Sequence, residues 1–237
     1  MPPDFLVAFI VFAAIFVQAV TGFGLALVAM PLLTAVIGLP TAAPMMAMVG
    51  ILAEIVILFR FREAVNIRAV SRLVAAALAG TPIGLWLLGM IDPAVGARLL
   101  GAMVFVYAVY ALLSPRLPEL AHRLWAYPFG FAAGVIGGLY NASGPPVIIY
   151  ANCRRWPPAE FKGNLQGFFL PTGILVLVGH FLQGNVTAVV WHNVWVAIPA
   201  MVLGLVVGFG LDGRLPATTF RNLVLILLLI IGLRLLV

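Results

Sequence analysis

Two stretches combine residue types and spacing suited to binding chemistry: Thr21-Gly22-Phe23-Gly24 and Tyr140-Asn141-Ala142-Ser143-Gly144-Pro145-Pro146. Each interrupts an apolar run with glycines and small hydroxyl or amide residues. A helix that restarts after such a break exposes unbonded backbone N–H groups and the positive end of its dipole. Those groups can hold an anion without a buried cation. Thr21, Asn141 and Ser143 add side-chain donors, and Gly22, Gly24 and Gly144 let the backbone approach a ligand closely. Proline suits the first turn of a helix. Pro145 and Pro146 have no N–H, however, so the second break must draw on residues 141–144 and on Val147 onward. The competing reading is that these glycines only allow tight helix packing. Packing is the expectation for the pairs Gly80/Gly84 and Gly163/Gly167, and Gly130/Gly134/Gly138 forms a similar row.

Further polar positions are candidates for a pathway or for coupling. Pro171-Thr172-Gly173 and Thr81-Pro82 lie at mid-depth of apolar segments, where a kink is expected. Asn164 and Gln166 sit one to two turns inside a segment end, and Gln18 one turn before the first break. Glu54 is the single acidic residue well inside an apolar segment. An ionisable group at a bilayer centre costs about 2.5–3.5 kcal/mol on insertion scales, which makes it a functional suspect. It could carry a coupling proton or pair with an arginine such as Arg60. His180 and His192, near Trp191 and Trp195, suit an interfacial belt. The one cysteine, Cys153, gives no disulfide framework and is expected to be inert. There is no HExxH, GxSxG or Walker sequence and no acidic pair for Mg²⁺. No catalytic residue, metal or cofactor is therefore expected, and the chain is not read as an enzyme.

Composition says what must position these residues. Of 237 residues, 64% are hydrophobic and 8% charged, whereas a soluble domain is about 25% charged. That excludes a soluble globule and a disordered chain. The net charge of +6 would suggest nucleic acid in a soluble protein, but the basic residues gather in short connections, as in cytoplasmic loops of membrane proteins. The N-terminus lacks a Lys/Arg-bearing leader with a small-residue cleavage site, so its apolar stretch is read as part of the fold.

Charge-free runs predict helical segments at Phe5–Val20, Leu25–Gly38, Thr41–Phe59, Ala69–Gly89, Ala94–Leu113, Tyr127–Leu139, Val147–Cys153, Glu160–Leu182, Thr187–Leu211 and Ala217–Leu236. A broken pair followed by three long segments occurs twice, on either side of Ser114–Arg123. Asp92-Pro93 with Arg98 matches Leu215-Pro216 with Arg221, Gly80/Gly84 matches Gly204/Gly208, and Gly22 matches Gly138. The chain therefore reads as one transmembrane domain, 1–237, made of tandem repeats at 1–116 and 124–237. The connections Arg60–Arg72, Arg116–Arg123, Arg154–Lys162 and Arg214–Arg221 are basic. If all are cytoplasmic, Tyr127–Cys153 must enter and leave on one side. Phe129–Leu139 rises only about 16 Å, half of a bilayer core of about 30 Å, so a re-entrant hairpin is expected there. By symmetry Phe5–Gly38 is another. The expected class is an all-α polytopic membrane protein with two inverted repeats, each a broken re-entrant hairpin plus three transmembrane helices, and with both termini outside. In such proteins, Gly/Pro-interrupted segments at corresponding positions point to the substrate site.

QAVTGFGLALVAMPLL at 18–33 and GVIGGLYNASGPPVIIY at 134–150 together resemble the paired signatures of the TauE/SafE family of sulfite exporters, over essentially the whole chain. The resemblance implies a secondary transporter of the bacterial plasma membrane that moves small sulfur oxyanions or organosulfonates. The first signature has Phe23 and Leu25 around Gly24 where a glycine-richer form is common in the family. The preferred expectation is export of a small anion such as sulfite by alternating access. Its rivals are a passive anion channel and a membrane enzyme or assembly subunit. Partners expected are the anion, the lipid bilayer and, as an option, further copies of the chain, with no nucleic acid.

Overall fold

The computed structural model describes residues 3–113, 117–212, 214 and 217–236. Ser114–Arg116 and the Leu215-Pro216 pair, invoked above for the repeat, lie outside the described residues, as does the side chain of Arg221. The helices are α1 (Pro3–Thr21), α2 (Leu25–Ile37), α3 (Leu39–Phe61), α4 (Ile67–Met90), α5 (Pro93–Leu113), α6 (Ala126–Tyr140), α7 (Gly144–Cys153), α8 (Pro158–Leu182), α9 (Ala188–Leu211) and α10 (Ala217–Leu236). Short 3₁₀ turns at Arg62–Ala64 and Arg123–Trp125 complete the described secondary structure. Lipid offers no partner for backbone polar groups, so charge-free runs close their hydrogen bonds internally as helices. Polar residues start several of them. Asn66 Oδ1 accepts from Ala69 N, Asp92 Oδ1 from Ala94 N and Thr187 Oγ1 from Val190 N.

Six of these helices are long and apolar enough to cross a membrane: α1, α3 with its following turn, α4, α5, α8 and α9. The chain is an all-α polytopic membrane protein. In one respect the structure departs from the symmetric expectation. With 19 residues, α1 is about 28 Å long and can cross by itself, although the symmetry argument makes it one arm of a re-entrant hairpin. Similarly, α6 has 15 residues, about 22 Å rather than 16 Å, because its helix begins at Ala126 and runs on through Tyr140. The 10 residues of α7 span only about 15 Å.

The chain divides into two compact units, each drawing on both halves of the sequence. One comprises Met1–Val49, Ile91–Arg116 and Val186–Val237, and the other Gly50–Met90 and Leu117–Asn185. In the second unit α4 lies against α6 through interlocking glycines. A Cβ on Gly80 or Gly84 would collide with the Phe131 or Val135 carbonyl, and one on Gly130, Gly134 or Gly138 with the Leu73, Ala77 or Thr81 carbonyl. In the first unit α9 lies against α1 in the same manner. A Cβ on Gly204 would stand 2.9 Å from the Phe12 carbonyl oxygen and one on Gly208 3.2 Å from that of Phe16. Phe12 and Phe16 stand 119 positions before Phe131 and Val135, and Gly80/Gly84 stand 124 before Gly204/Gly208. The packing expected of these glycines is observed, with backbone approach as its cause. Gly163 and Gly167 are likewise packed, against Phe61 and Val65.

Within the second unit the basic connections gather. Arg154 donates to the Leu120 and Ala121 carbonyls at 2.6 and 2.8 Å, and Leu120 N donates to the Cys153 carbonyl. The segment leading into α6 therefore lies against the end of α7. Asn66, just before α4, is tied to the start of α8. Its N–H donates to Asn164 Oδ1 at 2.7 Å and its amide to Glu160.

Candidate anion site at the second helix break

The α6–α7 break begins at Asn141, which takes a left-handed conformation (φ 54°) and donates its N–H to the Gly137 carbonyl at 2.7 Å. Asparagine tolerates this region better than most residues. The chain then passes through Ala142 and Ser143 into α7, whose first residue is Gly144, followed by Pro145 and Pro146. Among the described residues, the N–H groups of Ala142, Ser143 and Gly144 donate to no backbone carbonyl. Ser143 is buried yet caps nothing with its side chain, and the Asn141 side chain has no hydrogen bond among the described residues. The buried Tyr140 hydroxyl is also unpartnered. The chain at the start of α7 thus carries three backbone N–H groups and the Ser143 hydroxyl, preceded directly by Asn141 and by Tyr140 with its buried, unpartnered hydroxyl. Such groups are ordinarily paired when buried. Around Gly144 the wall is apolar, with Ile148 and Phe169 within 4 Å of where a Cβ would stand.

The α1–α2 break opens with the same left-handed turn but differs at its third residue, Gly24 being left-handed where Ser143 is right-handed, and in its side-chain use. Gly22 (φ 84°) donates its N–H to the Gln18 carbonyl at 2.7 Å, just as Asn141 donates to Gly137, and Gly24 is also left-handed (φ 105°). A side chain at either glycine would be strained. Here, however, the donors are occupied. Thr21 Oγ1 bonds the Val17 and Phe23 carbonyls at 2.8 and 2.6 Å and accepts from Phe23 N. Gln18 Oε1 accepts from Leu25 N, the first residue of α2, at 3.1 Å. The residue 119 positions after Gln18 is Gly137, which has no side chain to fill that role, and the residue 119 after Leu25 is Gly144. A Cβ at Gly137 would stand 3.2 Å from Ser143 Cβ. One break is capped by its own glutamine, and the other is left open.

The remaining candidates fall into two groups. Thr81 Oγ1 donates to the Ala77 carbonyl at 2.8 Å, and Thr172 Oγ1 bonds the Phe168 and Phe169 carbonyls at 2.8 and 3.0 Å. Both hydroxyls serve their own proline-containing helices. The Asn164 side chain is taken up by Asn66 and Glu160. Gln166 is fully buried. Glu54 forms no pair with Arg60, contrary to one expectation. Arg60 lies over the Phe61 ring instead, and Glu54 Oε2 is buried without a partner. His192 is exposed and bonds Asp4 at 3.2 Å, while His180 is buried and contacts Asn185. Among the described residues, no three His, Cys, Asp or Glu side chains gather where a metal ion could be held.

Tyr140 and Gly137 were absent from the candidates read in the sequence. Tyr140 looks like an ordinary apolar helix residue until its hydroxyl proves orphaned. Gly137 becomes meaningful only when the breaks are aligned by conformation, which pairs Gly22 with Asn141 rather than with Gly138.

The family model "Sulfite exporter TauE/SafE" matches residues 6–235. The "Probable sulfite/organosulfonate exporter TauE" of Cupriavidus necator is 28% identical over 220 residues, covering 88% of this chain and 84% of that protein. The "Probable inner membrane transporter protein TsaS" of Comamonas testosteroni is 26% identical over 177 residues, 74% of each chain. No solved structure matches.

Proposed function

From the premise that this chain belongs to the TauE/SafE family of membrane transporters, we propose that it is a secondary transporter exporting sulfite or a related organosulfur oxyanion, held at the N-terminus of α7. The observation that carries this reading is the unpaired set at the second break: Asn141, Ser143, Tyr140 and the N–H groups of residues 142–144. A sulfite ion presents three oxygens that accept hydrogen bonds. Ser143 Oγ, Asn141 Nδ2 and the Ser143 and Gly144 N–H groups supply donors without a counter-charge, and the dipole of α7 adds its positive end. Donors of this kind release their ligand more readily than a buried cation would, which suits a carrier that must let go.

The break at Thr21–Gly24 contributes backbone conformation, since its side-chain donors are spent locally. The matched packing of α1 with α9 and of α6 with α4 supports two inverted repeats, at 1–116 and 124–237, and a mechanism of alternating access between them. The basic connections are assigned to the cytoplasm of a bacterial plasma membrane, with both termini outside. A cytoplasm-negative potential then favours anion exit. The names of the relatives, an exporter of sulfite or organosulfonate and an inner membrane transporter, agree with this assignment.

The test is sulfite flux in proteoliposomes holding this protein alone. Saturable flux, stimulated by sulfite on the opposite side and impaired in Ser143→Ala, is the expected result. Non-saturable flux would indicate a channel, and normal flux in Ser143→Ala would remove the site from the break.

A further inference from the structure

Glu54 has no role in the anion site just described. Glu54 is half-buried on α3, with its Oε2 enclosed on the side turned to α8. Across from it is Gly173 of α8, where a Cβ would stand 3.3 Å from Glu54 Oε2 and 3.5 Å from Ile51. Absence of a side chain at Gly173 is what makes room for the carboxyl. No nearby group compensates its charge. Among the described residues Oε2 has no hydrogen-bond partner, and Thr172, next to Gly173, has its hydroxyl on the Phe168 and Phe169 carbonyls.

The charged and titratable groups on the packed elements lie elsewhere. On α3 itself Arg60 stacks on Phe61. On the following turn Arg62 stacks on Phe59, and Glu63 is exposed. On α8, Glu160 binds Asn66 and Asn164, Lys162 lies over Phe61 and His180 contacts Asn185. On α4, which packs against α8, Arg68 and Arg72 are at the end far from Gly173. At the level of Gly173, α8 presents Phe169, Leu170, Val176 and Leu177. A bare carboxylate in that setting carries the cost of an unsolvated charge, and uptake of one proton removes it.

The helix opposite is built to respond. Pro171 has no N–H to give the Gly167 carbonyl, so α8 lacks one rung two residues before Gly173. The Thr172 hydroxyl partly compensates by bonding the neighbouring carbonyls. A helix weakened there can bend without breaking further backbone bonds.

We propose that Glu54, seated against Gly173 beside the weakened turn of α8, is a reversible proton site that couples proton movement to anion transport. Protonated and neutral, Glu54 lets α3 and α8 stay closed on each other. Once the proton is released to water, the carboxylate must be solvated, which requires the contact to open. Each cycle takes up one proton at Glu54 from one side and releases it on the other, so the carboxyl returns to its starting state with no other reactant. This extends the transporter reading above and depends on it only for the flux assay.

The experiment uses sulfite in proteoliposomes of the full chain, comparing wild type with Glu54→Gln, whose amide mimics the protonated carboxyl. The expected result is that Glu54→Gln retains sulfite exchange at equal pH on both sides but loses its acceleration by an imposed pH gradient, by about ten-fold or more. Glu54→Asp keeps that acceleration at a reduced rate. Gradient-driven flux that persists in Glu54→Gln would overturn the proposal. A second readout needs no flux, namely the infrared carbonyl band of a protonated carboxylic acid at neutral pH. It should be present in wild type and missing in Glu54→Gln, since the other acidic side chains lie at helix ends or in connections. If wild type moves no sulfite, the transporter reading fails, and the infrared band alone decides whether Glu54 holds a proton. If Glu54→Gln does not insert, the same band, shifted in Glu54→Asp relative to wild type, supports the proposal, and its absence from wild type refutes it.

Discussion

At the scale of single residues, the two helix breaks separate side chains that stabilise the fold from side chains that are available to a ligand. The Ser143 and Asn141 side chains bond nothing among the described residues, so removing them should affect binding and leave stability nearly unchanged. A hydrogen bond to a charged group contributes about 1.5–3 kcal/mol. Ser143→Ala is therefore expected to raise the KM for sulfite about ten-fold or more, with an unaltered thermal transition. Asn141→Gly, which keeps the left-handed backbone (φ 54°) free of strain, should do the same. Thr21 and Gln18 should behave oppositely. Gln18→Ala removes the cap on Leu25 N and is expected to cost about 0.5–2 kcal/mol of stability, seen as a lower melting temperature in detergent, with little change in KM. Residue types alone ranked Thr21 with Asn141 and Ser143. What separates them is that Thr21 has carbonyl acceptors from Val17 and Phe23 within reach, a relation set by the local turn and invisible in composition.

At the scale of helices, glycine decides who packs with whom. The α4–α6 contact rests on backbone against backbone, with Gly134 facing the Ala77 carbonyl and Gly84 facing that of Val135. Without a hydrophobic force between helices in lipid, such close approach is a main source of association. Gly134→Leu should thus lower the thermal transition markedly or prevent accumulation of folded protein. Gly210→Leu, at a position with nothing within 4 Å, should be silent in the same thermal assay. The helix positions were legible in the sequence to within a few residues, because runs free of charge have no alternative to helix in lipid. Less legible was the length of α1 and α6. A half-bilayer length was inferred from Phe129–Leu139, whereas α6 extends from Ala126 to Tyr140 because Trp125, Ala126 and Tyr140 are all compatible with a helix end.

At the scale of the whole molecule, sidedness remains the assignment with most consequence, since it sets which compartment each connection faces. In the second unit, the segment leading into α6 meets the end of α7 through Arg154 and the Leu120 carbonyl, and the start of α4 meets α8 through Asn66 and Asn164. With Cys153, the only native cysteine, replaced by alanine, Ser71→Cys should react with a membrane-impermeant thiol reagent only from the cytoplasmic side. Gly89→Cys, at the far end of α4, should react only from outside. Labelling of both from one side would refute the assignment of basic connections to the cytoplasm.

The sequence by itself determined that the chain is a polytopic helical membrane protein, where its breaks lie and that it resembles one transporter family. Hydrocarbon tolerates few charges and no unpaired backbone, so apolar runs, basic connections and glycine breaks leave few alternatives. Tertiary structure alone decided which break stays open, because that depends on whether a side chain one turn away reaches the N–H groups, as Gln18 does and Gly137 cannot. It also decided that Glu54 faces Gly173 rather than Arg60. A carboxyl on a flexible side chain can reach either along its own helix or across to a neighbour, and only the packed position of α8 provides the space that selects between them.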